Sequence, residues 1–170
     1  MDASAMEGPF RIRETDEQVE LPAGAMFRRG PSMNPQNWDV HFGRHSRAGF
    51  NLWRFSPNNY SIKLFARPGD PEAESLDNVR WEQARMIDEM LQMTRKYGLR
   101  NFYGLFGYTK VFGDQPGNAE GMAKVKRAIK YSVDRWGAYV DIWELLNEQN
   151  ASDEWYEEAA GYLKMIAPYG

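Results

Sequence analysis

From Gly24 onward, short apolar runs alternate with longer stretches of helical periodicity, and this rhythm constrains the fold more than any other feature of the chain. Parallel strands need a crossover between them, so repeated βα units feed a parallel sheet with helices packed on it. Four such units are legible. The first strand candidate is Ala25-Met26-Phe27, followed by a short helix around Trp38 to Ser46. The second is Phe50 to Phe55, followed by a helix from about Leu76 to Tyr97. That helix carries Val79, Met86, Ile87, Met90, Leu91 and Thr94 near a 3.6-residue spacing, and Gly98 stops it. The third is Phe102 to Phe106, ahead of a helix bearing Met122, Val125, Ala128, Ile129 and Val133.

The fourth strand candidate is YVDIWELLNEQN, residues 139 to 150. Propensity favours helix there, because Glu, Leu and Gln are good helix formers. A helical reading would have to run from Ala119 through Gln149 across Gly137, whereas a strand after Gly137 gives the chain its break and keeps the βα rhythm. The strand is therefore expected. After it, Ser152 is placed to cap a helix with Asp153 and Glu154 in its first turn and Tyr156, Ala159, Ala160, Leu163 and Ile166 on its apolar face.

With 170 residues, 42% apolar and 14% aromatic, the chain can bury a sizeable core as one domain over residues 24–170, behind a polar segment 1–23. A net charge of −3 with scattered Lys and Arg gives no footprint for nucleic acid or an anionic membrane, and no run approaches a membrane span. The first residues lack the pattern of a secretory signal, and localisation stays open. Without cysteines, disulfides and cysteine-based metal sites are excluded.

If residues 139 to 150 hold a strand, Glu148 lies at its C-terminal end, the edge where parallel α/β barrels build active sites. An acid losing solvation there would hold its proton near neutral pH, as a general acid must. Asn147 beside it offers a donor and an acceptor for a substrate hydroxyl.

The run I-W-E-L-L-N-E, ending on Asn147-Glu148, resembles the glycoside hydrolases of the large (β/α)8-barrel clan that includes family five cellulases and mannanases. A second similarity is A-G-F-N-L-W-R-F at residues 48 to 55, which looks like the clan's second strand; a weaker one is R-K-Y-G-L-R-N-F-Y-G-L-F. The resemblance implies a TIM-barrel α/β fold and retaining cleavage of O-glycosidic bonds in a poly- or oligosaccharide. It implies Glu148 as acid/base, Asn147 as a sugar contact, and Arg54 as the group that orients the nucleophile. The third strand departs from the pattern, ending in Gly107-Tyr108 where many family five members carry a histidine.

A complete barrel has eight strands in about 250 residues, so four units correspond to a half-barrel. The retaining mechanism also needs a second carboxylate about 5 Å from the first. In the resembling clan it follows the seventh strand, and no residue here matches it. The expectation is the N-terminal half of such an enzyme, its open edges inviting self-association or pairing with a second half-barrel. The competing expectation is a carbohydrate-binding or scaffold half-barrel without chemistry.

Tyr60, Tyr108, Phe112 and Trp155 sit in or near the segments after strands, where an aromatic face can stack on a sugar; Tyr108 and Trp155 are the substrate-binding candidates. His41 and His45 share a helix face but have no third ligand nearby, so they read as solvated helix histidines and not a metal pair. The acids Asp70, Glu72, Glu74 and Asp77 lack the pattern of a calcium loop. No cofactor and no metal are called for.

Overall fold

The computed structural model describes residues 10–12, 17–19, 35–57, 64–65, 79–107, 119–147 and 150–168. In chain order the elements are β1 (Phe10–Ile12), β2 (Glu17–Val19), α1 (Pro35–Arg47), β3 (Leu52–Phe55), α2 (Trp81–Lys96), β4 (Arg100–Gly107), α3 (Ala119–Trp136), β5 (Ile142–Asn147) and α4 (Asp153–Ile166). β1 and β2 form a small antiparallel pair with Phe10 opposite Val19. The sequence gives no hint of it, because three-residue strands are too short to show a period. The expected first strand, Ala25-Met26-Phe27, lies outside the described residues.

The other strands form a parallel sheet in the order β3-β4-β5. Residues 142–147 are a strand, and α3 ends at Trp136 instead of running on to residue 150. Gly137 makes that stop: its N–H donates to the Val133 carbonyl, and an added Cβ would lie 2.6 Å from that same oxygen. α2 ends comparably, with Gly98 in the left-handed region at φ 70° and the Leu99 N–H returning to the Thr94 carbonyl.

α2 starts later than its periodicity suggests. Val79 pairs with Phe65 in an antiparallel bridge, the Arg80 N–H donates to the Leu64 carbonyl, and Arg80 itself is extended. A contact distant in sequence thus takes the first turn away from the helix. α4 starts as expected, with Ser152 Oγ accepting from the Trp155 N–H at 3.2 Å.

One face of the sheet is covered by helices. Trp53, Phe55, Tyr103 and Leu105 are buried there; Trp53 packs edge-on against Phe42 of α1, and Tyr103 lies against Trp136 of α3. Each such fully buried side chain contributes roughly 1.5–3 kcal/mol through loss of water contact. Burial also drives the Tyr103 phenol pKa far up, against the opposing effect of its hydrogen bond with Ser132.

Opposite, by strand parity, the sheet carries Leu52, Arg54, Phe102, Phe106, Ile142, Glu144 and Leu146, of which Phe106 alone is buried, at the end nearest Trp155. Leu52 is 39% exposed and Ile142 41%. Parallel sheets almost always have both faces covered, so the exposure of Leu52 and Ile142 on a face that no described helix covers is the unusual feature of the fold.

At the N-terminal edge β4 and β5 are tied together by polar groups. Asn101 N–H donates to Asp141 Oδ2 at 2.7 Å, the Asp141 N–H returns to the Asn101 carbonyl, and Asn101 Nδ2 donates to the Tyr139 carbonyl. Arg95 of α2 adds a bond to the same Tyr139 carbonyl.

Candidate functional site

The parallel register puts Arg54 beside Phe102 and Phe102 beside Ile142, and places Gly104 opposite Glu144. Side chains of one parity along each strand share a face, so Arg54 and Glu144 reach toward each other over β4. Arg54 Nε lies 3.2 Å from Glu144 Oε2, and Nη2 lies 2.8 Å from Oε1 and 2.7 Å from Oε2. Nη2 also donates to Oδ1 of Asn147, the last residue of β5. The guanidinium stands over the Phe102 ring, 5.4 Å from its centroid.

This pairing depends on a missing side chain. A Cβ at position 104 would lie 2.9 Å from Glu144 Oε2 and 3.3 Å from Ser56 Cβ. Gly104 therefore opens the slot through which the carboxylate crosses the middle strand. Ser56, directly after β3, borders the same slot, and its hydroxyl is buried without a hydrogen-bond partner.

Of the catalytic and substrate-binding candidates Arg54, Tyr108, Asn147, Glu148 and Trp155, three are described, and two of these come together. Arg54 and Asn147 touch, and the partner of the Arg54 charge is the partly buried Glu144, two strands away on β5. Asn147 is buried at 6% exposure, and strict alternation would turn it toward the helices, so its contact with Arg54 marks a local departure at the strand end. Trp155 is 2% exposed, in the first turn of α4 with its ring edge-on to Phe106. It presents almost no surface to a sugar, and the stacking platform expected of it gives way to a packing role. Glu148 follows Asn147 directly in the chain, and Glu148, Tyr108, Tyr60, Phe112 and the acids at 70–77 lie outside the described residues.

Sequence reading assigned no site role to Glu144, Gly104 or Ser56. A signal was there for Glu144: an acid inside an apolar strand, on the parity of a basic residue two strands away. Only the register makes it usable.

The histidines differ from expectation. His41 is half-buried, its ring edge-on to Phe42 and Trp53 and 4.3 Å from that of His45. Burial first, then the charges of His45 and Arg44, lower its pKa from 6.5 to about 4, so it is a neutral packing residue. Among the described residues no group of three or more His, Cys, Asp or Glu could hold a metal ion, and no helix is long and apolar enough to cross a membrane.

No family model matches the sequence, and no curated protein matches it. Solved structures do. The chain is similar to the apo form of a beta-glucosidase, with a TM-score of 0.56 and 11% identity over 86% of this chain. It is also similar to the endoglucanase Cel5A of Pseudomonas stutzeri, with a TM-score of 0.53 and 14% identity over 75% of this chain. The chain spans 47% and 40% of those two structures, less than half of either. At such identities the likeness is one of fold. The helices and parallel three-stranded sheet here match part of the fold of those two structures.

Proposed function

We propose that residues 24–170 are the N-terminal sector of a (β/α)8 retaining glycoside hydrolase acting on a poly- or oligosaccharide. The observation that carries this reading is the Arg54–Glu144–Asn147 cluster, which runs to the C-terminal end of β5 at Asn147, with Glu148 next in the chain. Barrel enzymes do their chemistry at that edge, and the fold likeness to a beta-glucosidase and an endoglucanase supports the same assignment.

In this reading Glu148 protonates the glycosidic oxygen as the bond to the anomeric carbon breaks, while a second carboxylate attacks that carbon from the opposite face. Glu148 then takes a proton from the water that releases the glycosyl group. Asn147 holds a sugar hydroxyl. Glu144 is assigned to holding Arg54 and not to the role of second carboxylate. The nucleophile is assigned to a residue outside these 170, on further βα units that cover the open face bearing Leu52 and Ile142.

The test is turnover of nitrophenyl β-glycosides by the full-length gene product and its Glu148→Gln variant. Loss of a general acid/base lowers kcat by about 10²–10⁴-fold with the circular dichroism spectrum unchanged. Undiminished turnover in the variant would overturn the reading.

A further inference from the structure

We propose that Glu144 is a positioning residue for Arg54, fixing the guanidinium so that Nη1 stays free for an oxygen of the reacting complex; this rests on the glycoside hydrolase reading. Glu144 takes Nε and Nη2, and Asn147 shares Nη2. Nη1 takes part in none of these bonds. A guanidinium offers five donors in a rigid plane, so fixing one edge also fixes the direction of the unused nitrogen.

The arrangement is specific to these residues. An Arg side chain has several rotatable bonds, and held only by stacking on Phe102 it would sample many orientations. Gln at 144 keeps the shape but offers one acceptor oxygen in place of two charged ones. The Glu144 carboxylate reaches Arg54 only because position 104 has no Cβ. The clamp is therefore a three-residue device, one residue from each strand of the sheet, and it stands beside the buried, unpartnered hydroxyl of Ser56.

The experiment compares wild type, Glu144→Asp, Glu144→Gln and Gly104→Ala in the full-length gene product, with nitrophenyl β-glycosides as substrates. A second readout is the side-chain Nε–H resonance of Arg54, assigned by its disappearance in Arg54→Lys. In wild type this proton exchanges slowly with solvent. In Glu144→Gln it exchanges faster, and kcat falls about 10- to 100-fold, the effect of a small misplacement of a reacting group. KM changes much less than kcat, and Glu144→Asp falls between.

An unchanged Arg54 resonance in Glu144→Gln overturns the proposal, as does a changed resonance with wild-type kcat. If Glu144→Gln does not fold, Gly104→Ala carries the same comparison, since its Cβ displaces the carboxylate while keeping the charge. Undiminished turnover in Glu148→Gln overturns the functional reading and the positioning role with it. Undiminished turnover in Glu144→Gln alone, with Glu148→Gln inactive, overturns only the positioning role.

Discussion

Arg54 on β3 and Glu144 on β5 meet across the intervening strand, nitrogen to oxygen at 2.7–3.2 Å, through a gap left by Gly104. Filling the gap tests how much the molecule depends on it. Gly104→Ala places a methyl group 2.9 Å from a carboxylate oxygen and 3.6 Å from the Phe55 carbonyl. Overpacking of this kind destabilises by about 1–3 kcal/mol, so a lower melting temperature is expected. An unchanged one would mean that Glu144 gives way freely.

The ion pair is partly exposed, at 31% and 22% for the two side chains, so its worth lies well below that of a fully buried pair. Arg54→Met leaves the Glu144 charge half-buried without its partner, and a loss of about 1–2 kcal/mol is expected. Adding Glu144→Leu removes the stranded charge and should restore part of the loss. Urea unfolding of the single and double variants measures the coupling directly, and strict additivity would show that the two side chains do not interact.

His41 gives the stability a pH dependence. The unfolded chain takes up a proton near pH 6.5, whereas the folded one resists until about pH 4. The full stabilisation is therefore present above pH 6.5 and is lost progressively as the pH falls to 4. Because the ring is only half-buried, about 1–3 kcal/mol is expected over that window. His41→Phe should flatten the unfolding free energy measured between pH 7 and 4 (roughly the window that linkage defines); a parallel curve would show that His41 is not its source.

Ser152 closes the first turn of α4 through its hydroxyl. Ser152→Ala removes that acceptor and should lower stability by about 1 kcal/mol, while Ser152→Asp should hold it near wild type. Equal stability of all three proteins in thermal unfolding would show that the cap bond contributes nothing.

The open sheet face makes a prediction for the 170-residue chain on its own. Leu52 and Ile142 stand on that face with about two-fifths of their surface exposed, enough to favour a second copy over water. Sedimentation should show a concentration-dependent oligomer, and Leu52→Lys with Ile142→Lys should shift it toward monomer. A wild-type chain that stays monomeric throughout would count against pairing through this face.

The rhythm of strands and helices was legible because it depends on local pattern and on a few punctuating glycines. Gly137 and Gly98 end helices by geometry that needs no distant partner. The late start of α2 was hidden because Val79 answers to Phe65, which no helical period records. Asn147 could be picked out from its place at a strand end, and Arg54 from the resemblance of its strand to the clan's second strand. Their shared partner could not, since the alignment of Gly104 with Glu144 is a property of strand register and not of either strand's sequence. His41 was misread for a similar reason: spacing gives the helix face, but only the fold reveals that Trp53 lies against it.

The Asn101–Asp141 ties grip β4 and β5 at the end of the sheet away from Asn147. Alignment of the two strands is thus secured where no chemistry is proposed, and the segments leaving their opposite ends need not secure it. Those segments can be lengthened, shortened or exchanged without letting one strand slide past the other. New loops grafted after Gly107 and beyond Glu148 would therefore leave the alignment intact, provided Asn101, Tyr139 and Asp141 stay untouched.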